Sequence, residues 1–144
     1  LNILPPECDY CLIHDAARPL VDAASIKRLV GAVRKTKAAI LGVPVKFTVK
    51  QSDRAVSRCG MPEVEQTLDR NRLWEIQTPQ AFKKDIIVKA YNSFSMIDVT
   101  DDAALVEKLG VRVALVMGAY SNIKITTPED VCVAEALLKK ARQK

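Results

Sequence analysis

An acid and a base three residues apart carry the first chemical signal in this chain: Asp15 and Arg18 stand in the segment HDAARP, residues 14–19, directly after the apolar run Tyr10–Ile13. The run predicts a buried strand, and open α/β sheets bind ligands just beyond the carboxyl ends of such strands. A carboxylate there accepts hydrogen bonds from hydroxyl groups, and a guanidinium grips an oxyanion through two parallel N–H donors. The competing reading is an ion pair that only ties a loop together, since exposed pairs contribute little. His14, one strand residue before Asp15, is expected to pack or donate a hydrogen bond rather than serve as a general base.

Metal and thiol chemistry find less support. Cys8 and Cys11 have C-x-x-C spacing, but Cys59 and Cys132 are far off and form no second pair, whereas zinc needs four ligands at paired spacings. Cys11 falls inside the expected strand and not at a helix start, where a redox motif would lie, so the cysteines are expected to be buried free thiols in a reducing compartment.

Those residues need a scaffold. The 144 residues, 49% hydrophobic and 27% charged, suit one domain that buries roughly two thirds of its unfolded surface. No apolar run approaches the ~20 residues of a membrane span. The net charge of +5 points to an anionic ligand, although Lys139, Lys140, Arg142 and Lys144 crowd the tail and inflate it. Only 5% of residues are aromatic, which argues against stacking on nucleic acid and favours a small phosphorylated substrate. Residues 1–6 lack the basic lead of a signal peptide, and a start at Leu1 just before a core strand suggests that further sequence lies upstream.

Along the chain, Ser25 is the expected cap of a helix whose apolar positions are Ile26, Leu29, Val30 and Val33. Residues 38–43 predict a second buried strand closed by Pro44, and strand, helix, strand implies a parallel right-handed crossover. Val45, Phe47 and Val49 then alternate with polar residues, and after a polar stretch at 51–62 the alternation resumes at 64–68. This predicts a hairpin arm over about residues 45–70, which would project and grip another subunit. Residues 73–82 read as apolar with a Thr-Pro turn in the middle. Residues 83–94 predict a helix, Thr100 caps another that Gly110 stops, 111–117 form a strand, 123–125 a short strand carrying Lys124, and Pro128 opens a last helix.

Four blocks, HDAARP at 14–19, LDRNRLWEIQTPQAF at 68–82, VTDDAALVE at 99–107 and YSNIKITTPED at 120–130, occur in one order over nearly the whole chain. In these blocks the chain resembles the 2-C-methyl-D-erythritol 4-phosphate cytidylyltransferases. HDAARP is shared with ribitol 5-phosphate cytidylyltransferases; the blocks at 68–82 and 99–107 favour the erythritol enzymes. The resemblance implies a Rossmann-like α/β nucleotidyltransferase fold, a mostly parallel sheet with flanking helices and a β-arm. It implies transfer of a cytidylyl group from CTP to a polyol phosphate with loss of pyrophosphate, assisted by Mg2+, in a homodimer held through the arm. By the same resemblance Lys124 lies near the reacting phosphates, Asp15 orients the sugar-alcohol hydroxyls or metal-bound phosphates, and Arg18, Thr78 and Thr100 contact substrate. Thr48 and Arg70, on the arm, would reach the sugar phosphate in a neighbouring subunit. Bacterial cytoplasm and plastid stroma both suit it, and neither a membrane nor nucleic acid enters.

The chain departs from that pattern in two places. The family's Gly-rich loop, with its arginine and lysine for the CTP phosphates, has no counterpart among five scattered glycines, and the first strands of the sheet are absent, so the chain alone is expected to turn over little or nothing. Lys46-Phe47 stands where many bacterial members carry Arg-Asp. Two other readings are a ribitol 5-phosphate enzyme and a non-catalytic α/β dimerisation module.

Overall fold

The computed structural model describes residues 4–56, 60–94 and 98–142, without the side chains at 54–56 and 142. The chain divides into two compact units, one built from the residues up to Gly42 and from Ile76 onward, the other from Val43–Glu75.

In the first unit a mixed sheet has the strand order β1 (Tyr10–Ile13), β5 (Trp74–Lys83), β2 (Ala38–Pro44), β6 (Ala114–Met117). β1 runs antiparallel to β5, Tyr10 opposite Lys83 and Ile13 opposite Gln80, while β2 runs parallel to β6 with Ala39 opposite Ala114. β2 is the most apolar strand because both of its faces are covered, and residues 38–43 are all buried. Its side chains alternate between two cores. Ala39 and Leu41, with Ala81 of β5, meet Leu29 and Val33 of helix α1 (Ala23–Thr36). Ala38 and Ile40, with Phe82, meet Ile87 and Ala90 of α2 (Lys84–Phe94) and Ala103, Leu105 and Val106 of α3 (Asp102–Lys108). The period of two thus sends one strand's residues to helices on opposite faces. A fourth helix, α4, spans Pro128–Arg142 and starts on its proline as expected. Among the described residues no helix is long and apolar enough to cross a membrane.

Several local expectations are corrected. The cap of α1 is Asp22 and not Ser25: the Asp22 carboxylate accepts from Ser25 N–H and from its hydroxyl, both at 2.7 Å, and Ser25 lies buried inside the first turn. Asp101, not Thr100, caps α3, accepting from Ala104 N–H at 3.0 Å. In each case two cap-competent residues stand close together, and the one that caps has extended backbone, φ −93 and ψ 151 at Asp22 and φ −157 and ψ 171 at Asp101. Gly110 does end α3, with φ +76, the left-handed conformation that suits a helix terminus. The Thr78-Pro79 step is no turn; β5 runs through it, with a cis peptide bond. Pro79 lies one residue past the last β1 partner, Gln80, so its missing N–H takes no ladder bond from β1. β1 is outermost in the sheet, which leaves Leu12 exposed where burial was expected. The strand expected at 111–117 is shorter, Ala114–Met117.

In the second unit β3 (Lys50–Val56) and β4 (Pro62–Thr67) form an antiparallel hairpin, Lys50 opposite Thr67 and Gln51 opposite Gln66, followed by a 3-10 turn at Arg70–Arg72. The first strand therefore lies in the stretch read as loop, and the alternating residues 45–49 precede it. With every residue of β4 exposed, no core face enforces a hydrophobic alternation. Polar cross-strand pairs fix the register instead: Lys50 Nζ donates to Thr67 Oγ1 at 2.6 Å, and Gln66 Nε2 to Gln51 Oε1 at 2.8 Å.

Candidate active site

β1 ends at Ile13, and the chain turns at once, Arg18 N–H donating to the Asp15 carbonyl at 3.0 Å. The turn is locked by a ring of side-chain bonds. Thr78 Oγ1 on β5 accepts from Asp15 N–H at 2.9 Å and lies 2.9 Å from His14 Nδ1, while His14 Nε2 lies 3.1 Å from the Arg18 carbonyl. A carbonyl only accepts, so Nε2 is the donor in the contact with Arg18. His14 thus ties the turn together through its ring nitrogens, the hydrogen-bonding role expected of it.

Across this turn lies the segment after β6. It is not the short strand expected at 123–125, because no strand of the sheet pairs with it; its hold is local, Ile125 N–H donating to the Ala17 carbonyl at 2.8 Å. That bond brings Lys124 to Asp15, Nζ to Oδ2 3.1 Å, across 109 positions of sequence. Arg18 approaches the same oxygen from the other side, Nε to Oδ2 3.4 Å, a charge contact without hydrogen-bond geometry. Burial pushes the Asp15 carboxyl up, but the Lys124 hydrogen bond and the charges of Lys124 and Arg18 outweigh it and hold the group below the ordinary carboxylate range. The Arg18 side chain is 13% exposed and donates through Nη1 to the Asn122 carbonyl at 2.9 Å and through Nη2 to the Ile76 carbonyl at 3.4 Å. A guanidinium has five N–H groups, so two such bonds leave donors for an anion.

Asp15, Arg18, Thr78, Thr100 and Lys124 line one cavity of about 440 Å3. Five of the seven residues singled out in sequence therefore meet in one place, and the size suits a small ligand. The other two lie in the second unit: Thr48 is exposed just before β3, and Arg70 is exposed and donates to the Lys46 carbonyl at 3.0 Å.

Residues that sequence reasoning gave no role line the cavity, as Gln77, Gln80 and Tyr91 do, or lie buried behind it, as Asn122 does. Gln80, 1% exposed, accepts from Ala103 N–H at 3.0 Å and donates to Asp101 Oδ2 at 2.9 Å, tying β5 to the start of α3. Tyr91 on α2 donates to Asp102, and that hydrogen bond, with burial second, pushes its hydroxyl up to about 12. Gln77 and Asn122 are buried as well, with Asn122 Nδ2 donating to the Thr78 carbonyl at 2.9 Å. The one sequence signal was position: Gln80 and Asn122 lie inside quoted blocks, but a glutamine or asparagine read from sequence belongs at the surface.

Among the described residues, no group of three metal-ligating side chains is placed to hold an ion. Cys11 is buried, and burial pushes its thiol up; Cys8 is half-buried and donates to the Tyr10 carbonyl at 3.0 Å. Cys132 is exposed on α4, against the expectation of burial, and Cys59 lies outside the described residues.

The sequence model of the 2-C-methyl-D-erythritol 4-phosphate cytidylyltransferase family matches residues 1–140. The cytidylyltransferase of Dehalococcoides mccartyi is 51% identical over 136 residues, 94% of this chain and 57% of that protein, and that of Caldanaerobacter subterraneus 45% identical over 97% and 60%. The crystal structure of the 4-diphosphocytidyl-2C-methyl-D-erythritol synthase of Anaerococcus prevotii superposes with a TM-score of 0.86 at 37% identity, covering 96% of this chain and 60% of that one. The Thermus thermophilus enzyme gives a TM-score of 0.79 at 32% identity, covering 92% and 63%. The chain thus spans about three fifths of the length of these relatives. Its fold, its motif blocks and the family match agree: the chain belongs to the 2-C-methyl-D-erythritol 4-phosphate cytidylyltransferase family.

Proposed function

We propose that this chain carries the polyol-phosphate half of an active site that transfers a cytidylyl group from CTP to 2-C-methyl-D-erythritol 4-phosphate. A phosphate oxygen of the sugar alcohol attacks the α-phosphorus of CTP, the new P–O bond forms, and the bond to the β-phosphate breaks to release pyrophosphate. Such a reaction needs positioned reactants and neutralised phosphoryl charge more than a covalent nucleophile. The observation that carries the reading is the meeting of Lys124, Asp15 and Arg18 at one cavity from two distant blocks.

In this reading Lys124 faces the reacting phosphates, Asp15 accepts from the polyol hydroxyls, and Arg18, Thr78 and Thr100 complete the wall. Thr48 and Arg70 reach the sugar phosphate of a neighbouring subunit in a homodimer joined by the hairpin. Mg2+ is bound well by one or two carboxylates together with substrate phosphates. It would enter with CTP, with the Asp15 carboxylate in the cavity available to help hold it, and would draw charge off the phosphoryl oxygens. The setting is the bacterial cytoplasm or the plastid stroma, and neither nucleic acid nor membrane is a partner.

The test measures pyrophosphate release from CTP with 2-C-methyl-D-erythritol 4-phosphate, with this chain in the full-length context of its relatives. Lys124→Ala and Asp15→Ala are expected to lower turnover about 100-fold or more, the scale of losing one preorganised charge-stabilising group. Near-normal turnover in both variants overturns the assignment. Faster turnover of ribitol 5-phosphate than of the erythritol substrate overturns the choice of substrate, and full activity of residues 1–144 alone overturns the division of the site.

A further inference from the structure

We infer that Asn122 is a positioning residue that fixes Lys124 and Arg18 where an anion in the cavity meets them, an inference that rests on reading the cavity as the polyol-phosphate site. Among the described residues the segment bearing Lys124 has no sheet partner to hold it. Two anchors flank the lysine instead. After it, Ile125 N–H bonds the Ala17 carbonyl; before it, Asn122 joins three elements at once. Its Nδ2 donates to the Thr78 carbonyl at 2.9 Å and to Gln77 Oε1 at 3.3 Å, both on β5, and its carbonyl accepts from Arg18 Nη1 at 2.9 Å.

The orientation of this amide is forced. The Thr78 carbonyl can only accept, so the nitrogen of Asn122 must face it. Gln77 Nε2 donates to the Ala119 carbonyl at 2.9 Å, which leaves Gln77 Oε1 turned toward Asn122. Asn122 is 1% exposed, and its Oδ1 has no hydrogen-bond partner among the described residues. A buried amide that uses only its donor end is poorly explained by stability alone. Its donor end ties the loop to the strand carrying Thr78, and its carbonyl ties the same loop to Arg18. Gly118 is part of the arrangement, since a Cβ there would lie 2.3 Å from Gln77 Oε1 and 3.3 Å from the Gly42 carbonyl.

Two variants break the brace from opposite ends. Asn122→Asp replaces the donor by an oxygen facing two acceptors. Gly118→Ala leaves Asn122 in place and pushes away the flexible end of Gln77, a change the fold should tolerate. The chain is titrated calorimetrically with 2-C-methyl-D-erythritol 4-phosphate over a series of salt concentrations, with Lys124→Ala as reference. Screening makes the salt slope a measure of how many cations engage the phosphate. Wild type is expected to bind with a steep slope and Lys124→Ala about 10-fold more weakly with a shallower one. Both brace variants are expected to bind at least fivefold more weakly and to adopt the shallower slope, which a merely structural asparagine would not change. A folded brace variant that keeps wild-type affinity and slope overturns the inference while the cavity reading stands, and Gly118→Ala decides the matter if Asn122→Asp does not fold. Wild-type binding by Lys124→Ala, or no binding by the wild-type chain, overturns the cavity reading and the inference with it.

Discussion

Replacing Gln80 by alanine removes the link between β5 and the start of α3, and its cost can be assembled from the structure. The substitution deletes four buried heavy atoms from a residue 1% exposed. It strands the N–H of Ala103, itself 1% exposed, which Gln80 Oε1 receives at 3.0 Å. A buried donor left unpaired costs about 1–3 kcal/mol. The bond to Asp101 Oδ2 at 2.9 Å goes too, but Asp101 is only half-buried and water can replace much of it. With a partly relaxed cavity the total comes to about 3 kcal/mol. A domain of this size stable by 5–15 kcal/mol would stay folded at 25 °C but melt roughly 6–12 °C lower. Urea unfolding should show a lower midpoint with an unchanged slope, the mark of lost stability in the same native state. Gln80→Glu is the companion: it keeps an acceptor for Ala103 but faces Asp101 with a second carboxylate, so at neutral pH it should also destabilise. A loss below about 1 kcal/mol for Gln80→Ala would show that α3 is held by its apolar face alone and refute the account of Gln80.

Asp22→Ala removes the α1 cap and should cost about 1 kcal/mol by chemical denaturation. The Ser25 hydrogen bonds hold the Asp22 carboxyl below its ordinary 3.8, so its contribution is present above that value and fades as pH falls through the lower folded value. The gap between variant and wild type should therefore close in acid, and a gap independent of pH contradicts the capping role. Tyr91 shifts the other way: its hydroxyl, raised to about 12, favours folding fully below pH 10 and loses that contribution as pH climbs toward 12. Because Tyr91 is 37% exposed, solvent screening limits the effect to about 1 kcal/mol or less. Ultraviolet titration should resolve a late tyrosinate step, near pH 12, that Tyr91→Phe abolishes; a titration that Tyr91→Phe leaves unchanged in that range argues against the Asp102 bond.

What was legible in the sequence follows burial. Residues 38–43 announce a strand because both faces are covered, and Pro128 announces a helix because its missing N–H costs nothing there. Where burial is absent the pattern misleads. The alternation at 45–49 has no core beneath it, so the hairpin strand forms at Lys50–Val56, where polar side chains pair across the strands. Asp15 and Arg18 could be picked out because they follow a strand end, a general property of α/β sheets. Lys124 could not be derived that way; only the order of the motif blocks joined it to Asp15, and a bond from Ile125 to the Ala17 carbonyl makes that junction.

The least legible residues are the ones that turn these blocks into a site. Gln77, Gln80 and Asn122 are polar and buried, so composition rules assign them to the surface. Their amides supply what apolar packing cannot, directional bonds that fix a loop, or in Gln80's case a helix start, to a strand without a ladder. A helix face of leucines could press the 118–125 segment against the sheet, but it would not choose the angle at which Lys124 meets Asp15. That angle depends on donors and acceptors at fixed positions, and a substitution at Gln77 or Asn122 should alter ligand binding before it unfolds the domain.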